Sequence, residues 1–203
     1  MPPQLSLFDH GPQLLLDDAS GRIAYHPELI SRATAEAWFA QLGETVDWHS
    51  ERRLMYEREV DVPRLTSHYR LDDPALPSPL ADAAATVRAV VEAPFNSVGL
   101  NLYRGASDSV APHNDTLREL AEGQPIALLS LGATRRMTIR AKQPPRRVLH
   151  IELEQGSLLV MDYVTQLHYD HGIPKQREPV APRISLAFRV RRYPASAWGS
   201  GPR

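Results

Sequence analysis

The chain has 203 residues, enough for one domain with a sizeable core, and its 23 Lys and Arg against 24 Asp and Glu give a net charge of −1, which excludes a generally basic nucleic-acid coat. It has no cysteine, so disulfides, zinc–thiolate centres and cysteine nucleophiles are excluded too. The charge is unevenly spread: residues 1–100 carry 8 basic and 15 acidic side chains and residues 101–203 carry 15 and 9, so a polyanionic partner should meet the C-terminal half.

The opening stretch MPPQLSLFDHGPQLLLDD lacks a basic segment, and its apolar run stops at Asp17 and Asp18. Neither a signal peptide nor a membrane span is expected, which points to a cytoplasmic protein without a membrane partner. Residues 1–20 read as a loosely ordered leader and residues 21–203 as a single domain. SRATAEAWFAQL (31–42) spaces Trp38, Phe39 and Leu42 for one helical face and stops at Gly43, predicting a first helix. SPLADAAATVRAVVEAP (78–94) opens with Ser78 as N-cap and Pro79 at the first helical position, aligns Leu80, Ala83, Val87, Val90 and Val91, and ends before Pro94. A second helix is expected there. Between the two, one strand is expected near 53–62 and loop elsewhere.

From residue 96 the pattern changes to short alternating segments separated by Gly, Pro or charged turns: NSVGLNLYR, PIALLSLGA, RRMTIRA, RVLHIEL, GSLLVMDY and RISLAFRVRR. Two helices followed by a run of strands predict an α+β fold in which the strands close into a sandwich or barrel.

VAPHNDTL (110–117) places His113 and Asp115 two positions apart, on one side of an extended backbone. QLHYDHGIPK (166–175) supplies His168 and His171, either of which could complete a set of two imidazoles and one carboxylate. Such a set leaves open positions on a metal, the facial triad of non-haem Fe(II) oxygenases, which also need O2 and an oxidisable partner. In RISLAFR (183–189) Arg183, Ser185, Ala187 and Arg189 share one face while Ile184, Leu186 and Phe188 share the other. Two guanidiniums on an otherwise small-residue face call for an anion, and a carboxylate held bidentately is the usual partner. Asn101 and Tyr103 likewise share a face and offer neutral donors.

The ordered series FNSVGLNLYR, PHND, PIALLSLGATR, GSLLVMD, YDHGIPK and PRISLAFR, over roughly residues 95–193, resembles the AlkB family of Fe(II)- and 2-oxoglutarate-dependent dioxygenases. VPRLTSHY (62–69) resembles the segment before that family's substrate lid. The resemblance implies a double-stranded β-helix, or jelly roll, with the two N-terminal helices flanking it. It makes His113, Asp115 and His171 the iron ligands, His171 being chosen over His168 because HGIP matches the family's His-x-hydrophobic-Pro. It makes Asn101, Tyr103, Arg183, Ser185 and Arg189 the contacts to 2-oxoglutarate, and it places Arg64, Tyr69 and Leu117 at the substrate. The implied reaction is oxidative dealkylation of N1-methyladenine- or N3-methylcytosine-type bases in DNA or RNA by a monomer, with formaldehyde, succinate and CO2 as products. The target base would leave its stack and sit between planes such as Tyr69 and His113.

The chain departs from the family pattern at several positions. Ser185 and Ala187 stand where Asn and Thr are usual, Thr116 and Leu117 where acidic residues are usual, and LDDPALPSP runs where the paired lid tyrosines are usual. These departures motivate two alternatives: the same oxygenase acting on a modified RNA base, a protein or a small molecule, and an inactive nucleic-acid-binding module. RRMTIRAKQPPRR (135–147) holds six basic residues around a Pro144–Pro145 turn and reads either as a phosphate-contact surface or as a charged hairpin that keeps an edge strand soluble.

Overall fold

Two antiparallel sheets face each other, with the first two helices laid against the outer side of the larger one; the computed structural model describes residues 11–55 and 58–193. The elements in chain order are β1 (Gln13–Asp18), β2 (Gly21–His26), α1 (Arg32–Thr45), β3 (His49–Met55), β4 (Arg58–Arg70), α2 (Ser78–Arg88), β5 (Ser97–Tyr103) and β6 (Val110–His113). There follow β7 (Ile126–Gly132), β8 (Arg135–Ala141), β9 (Val148–Leu153), β10 (Leu158–Met161), α3 (Tyr163–His168), β11 (Tyr169–Ile173) and β12 (Arg183–Arg189). The large sheet runs β1-β2-β10-β7-β12-β5-β4-β3 and the small one β6-β11-β8-β9. This is the jelly roll expected from the sequence.

Period-2 alternation divides the core in two. Ile184, Leu186 and Phe188 of β12, with Leu129 and Leu131 of β7 and Val98 and Leu100 of β5, pack outward against Trp38 and Leu42 of α1 and Leu80, Ala84 and Val87 of α2. Ala187, Leu128, Ile126 and Tyr103 point inward to meet Met137, Ile139, Ile151, Leu153, Tyr169 and Ile173 of the small sheet. The second core fills only part of the space between the sheets, and the rest is the site.

Several sequence expectations need correction. Residues 13–18, expected to be part of a loose leader, form β1 paired with β2; residues 1–10 lie outside the described residues. Gly43 does not end α1, which continues to Thr45 behind its Ser31 cap, where the hydroxyl accepts the Thr34 N–H at 3.1 Å. α2 stops at Arg88 with Pro77, not Ser78, as its N-cap. The segment between the helices is mostly strand: β4 runs unbroken to Arg70, paired to β5 through Tyr69 opposite Val98. A third helix, α3, stands where the sequence shows only the end of a strand. Asp162 caps it, accepting from the Thr165 N–H at 2.8 Å.

Candidate active site

The two imidazoles meet across one strand pair. β6 and β11 are antiparallel with His113 opposite His171, and the rings lie 4.6 Å apart at 50°. Gly172 permits this approach: a Cβ there would come within 2.9 Å of the Val110 carbonyl oxygen. The strand ends at His113, so Asp115 sits in the following loop rather than on the same strand face. It is carried back to the cluster by two contacts: its N–H donates to Gln166 Oε1 at 3.1 Å, and its carboxylate accepts from Arg189 Nε at 2.8 Å and Nη2 at 3.0 Å. One ligand atom from each of His113, Asp115 and His171 lies within 4.8 Å of the others. His168, the other candidate, is the last residue of α3 and is outside the cluster.

The protonation states suit a cation. Burial, with His113 nearby, pushes the His171 imidazole down to about 4, so it is neutral and has a lone pair at neutral pH. His113 Nδ1 lies 3.0 Å from the Ala111 carbonyl, which can only accept; Nδ1 therefore carries the proton and Nε2 is free to coordinate. Burial alone would raise the Asp115 carboxyl, but the charge and hydrogen bonds of Arg189 outweigh it and hold the group below the usual carboxylate range. Two imidazole nitrogens with one ionised carboxylate match the donor set of non-haem Fe(II).

Behind the cluster a cavity enters the space between the sheets, lined by Asn101, Tyr103, Arg183, Ser185, Leu128 and Met137 among others. Arg183 is 1% exposed, and only its Nη2 finds a partner, Ser130 Oγ at 3.0 Å. Its Nε and Nη1 are buried without an acceptor. Burial lowers this guanidinium to about 10, leaving it charged at neutral pH. A charged, half-satisfied group facing a cavity fits a ligand carboxylate. Tyr103 lies beside it, the Arg183 guanidinium carbon 5.5 Å from the ring centre. Asn101 Oδ1 accepts from Arg64 Nε at 2.6 Å, which turns the amide N–H₂ away from Arg64 as a donor. The sequence put Arg189 on the same anion as Arg183; the structure has it line this cavity while bonded to Asp115 and to the Ala187 carbonyl.

A second, more open cleft adjoins His113 and Asp115 and is lined by Arg64, Thr66, His68, Thr116, Glu119 and Arg191, among others. Glu119 accepts from Arg191 Nη1 at 2.5 Å. Burial, together with Arg191 and Arg189, lowers the His68 imidazole and keeps it neutral. Two expected substrate residues fall elsewhere. Tyr69 is on the opposite sheet face, packed against the helix-side core, and His68 takes the inward position. Leu117, in the 3-10 turn Leu117–Glu119, is outside the cleft lining, where Thr116 and Glu119 appear instead.

The basic hairpin is largely neutralised. Arg136 pairs with Glu152 at 2.6 Å, Arg147 with Asp18 at 3.1 Å and Arg140 with Asp170 at 4.0 Å. Lys142 Nζ donates to Asn114 Oδ1 at 3.0 Å and the Gln166 carbonyl at 2.8 Å, bracing the loop that holds Asp115. Arg135 is buried. The charged-hairpin reading fits these pairings better than a phosphate surface. Sequence reasoning also missed Ser130 and Gln166; the Asp-x-x-Thr cap of α3 was the available signal for the latter.

The fold and this site define a class, and comparison with known proteins agrees with it: residues 22–189 match the 2OG-Fe(II) oxygenase superfamily, whose chemistry uses Fe(II), 2-oxoglutarate and O2. The human DNA oxidative demethylase ALKBH2 is 31% identical over 203 aligned residues, covering 88% of this chain and 77% of that protein. The cattle alpha-ketoglutarate-dependent dioxygenase alkB homolog 3 is 31% identical over 188, covering 83% and 66%. The chain belongs to the AlkB family of that superfamily. No helix among the described residues is long and apolar enough to cross a membrane.

Proposed function

We propose that the protein oxidatively dealkylates nucleic-acid bases of the N1-methyladenine and N3-methylcytosine type. The observation that carries this reading is the pairing of a half-satisfied, buried Arg183 with a His113–Asp115–His171 cluster at one end of a cavity, and an open polar cleft at the other. The name of the human relative, a DNA oxidative demethylase, supports nucleic acid as the substrate class.

In this reading His113, Asp115 and His171 hold Fe(II), and Arg183, Tyr103, Asn101 and Ser185 hold 2-oxoglutarate. When bound, the metal with 2-oxoglutarate and O2 supplies hydroxylation of the N-alkyl carbon, the co-substrate leaving as succinate and CO2 and a methyl group as formaldehyde. The chain's own residues orient and select. Arg189 fixes the Asp115 carboxylate plane through two hydrogen bonds. Arg64 orients Asn101 toward the co-substrate. His113 and His68 offer ring faces to a flipped base. Glu119, held by Arg191, is the carboxylate placed to accept from an exocyclic amine, the part the sequence leaves vacant at Leu117. The reading takes the protein to act as a monomer in the cytoplasm.

The test is succinate and formaldehyde release with Fe(II), ascorbate and 2-oxoglutarate, with and without an oligonucleotide carrying 1-methyladenine or 3-methylcytosine, beside Asp115→Ala. Formaldehyde that requires both the methylated oligonucleotide and Asp115 is expected. Succinate without formaldehyde would assign the enzyme another substrate, and neither product would favour the binding-module alternative.

A further inference from the structure

β8 opens with Arg135, whose side chain is buried as deeply as that of Arg183. No carboxylate bonds to it. Nη1 donates to the Gly105 carbonyl at 3.1 Å, and Nη2 donates to those of Asp108 at 2.8 Å and Pro174 at 2.9 Å. Nε has no acceptor. The nearby Asp108 carboxylate is engaged by Arg104, from the backbone N–H and Nε at 2.8 Å and from Nη2 at 3.0 Å.

The three carbonyls are informative by position. Gly105 and Asp108 belong to the turn that leads from β5 into β6, the strand that delivers His113. Pro174 directly follows β11, the strand that carries His171. One guanidinium thus ties the entrance of one ligand strand to the exit of the other. Its carbon also lies 5.4 Å from the centre of the Tyr103 ring, the ring that Arg183 approaches at 5.5 Å. A phenol beside two cations is the better hydrogen-bond donor, and a buried ring in contact with both has little freedom to turn.

We propose that Arg135 is a positioning residue for the co-substrate: it fixes the spacing of β6 and β11 and holds Tyr103 against Arg183, so that phenol and guanidinium present their donors to one carboxylate in a set geometry. The inference rests on the reading that Arg183 anchors that carboxylate.

The experiment is calorimetric titration of 2-oxoglutarate, under argon with Mn(II) bound, into the wild-type chain and the variants Arg135→Gln, Arg135→Lys, Tyr103→Phe, Arg183→Met and Arg135→Gln/Tyr103→Phe. Arg135→Gln should weaken binding about tenfold, with Arg135→Lys recovering part of the loss because the charge returns without the full set of carbonyl contacts. The double variant should lose less than the two single losses combined, since both act on one contact. A folded Arg135→Gln with wild-type affinity would overturn the proposal and reduce Arg135 to a structural clamp. If the Gln variant does not fold, wild-type affinity in the Lys variant overturns it equally. Arg183→Met separates the premise: unchanged affinity there means that the anchor itself was wrongly assigned.

Discussion

The cavity between the sheets and the cleft outside it are both lined with arginine, yet they treat charge in opposite ways. Inside, Arg183 is buried with two nitrogens unsatisfied and no carboxylate bonded to it. Outside, each carboxylate has its own guanidinium, Asp115 with Arg189 and Glu119 with Arg191. A site with an uncompensated charge selects an anion strongly, at the cost of strain in its absence. A site with paired charges selects by shape and hydrogen bonding. The interior therefore suits a ligand carboxylate such as that of 2-oxoglutarate, and the exterior suits, in the proposed reading, a neutral or cationic base that must be told from its neighbours.

The largest effect should follow from removing the interior charge. Arg183→Met is expected to lower 2-oxoglutarate affinity by about 100-fold or more, as for truncation of a buried, hydrogen-bonded charge pair. The same change should raise the melting temperature of the ligand-free protein, because the unpaired charge is gone. Calorimetric binding and thermal unfolding check the two halves, and a variant that loses both affinity and stability would break the comparison.

Next comes the strand approach that joins the regions. Gly172→Ala must displace the β6 backbone, since its new Cβ would lie 2.9 Å from the Val110 carbonyl oxygen. Mn(II) affinity is expected to fall about 10-fold or more, read by titration, with secondary structure retained by circular dichroism.

Acid should act through His171. Its folded value is about 4 against an ordinary 6.5, so between those values the unfolded chain binds a proton that the folded chain does not. Stability of the metal-free protein should therefore fall as pH drops through this window, by on the order of 3 kcal/mol in denaturant titrations. His171→Gln should flatten that dependence.

In the outer cleft, Glu119→Gln keeps size but removes the charge. It is expected to raise KM for the methylated oligonucleotide about tenfold while leaving KM for 2-oxoglutarate unchanged. Equal changes in both would erase the division between cavity and cleft. The smallest effect belongs to the surface: Arg136→Ala and Arg147→Ala break exposed pairs and should each cost less than about 1 kcal/mol.

How far the sequence could be read follows the same division. The interior was legible because β12 and β5 are regular strands: counting by two puts Arg183 and Ser185, Asn101 and Tyr103 on one face, and the structure finds them together. The cleft was not. β4 carries Pro63 and many charges and leads into a proline-rich loop, so its alternation is hidden in the sequence, which points to Tyr69 where the structure turns His68 inward. Leu117 and Glu119 sit in a 3-10 turn, where neither period applies. Arg135 looked like one more charge in a basic run, because burial of a single arginine depends on carbonyls 27 and 39 residues away. Gln166 likewise reaches Asp115 across 51 residues.

The most direct test of the central claim is the mass of a single-stranded oligonucleotide carrying one 1-methyladenine, taken before and after incubation with the protein, Fe(II), ascorbate and 2-oxoglutarate. Loss of the methyl group, with one succinate formed per methyl removed and none of either with Asp115→Ala, is the predicted result. An oligonucleotide that keeps its methyl group while succinate accumulates would contradict it.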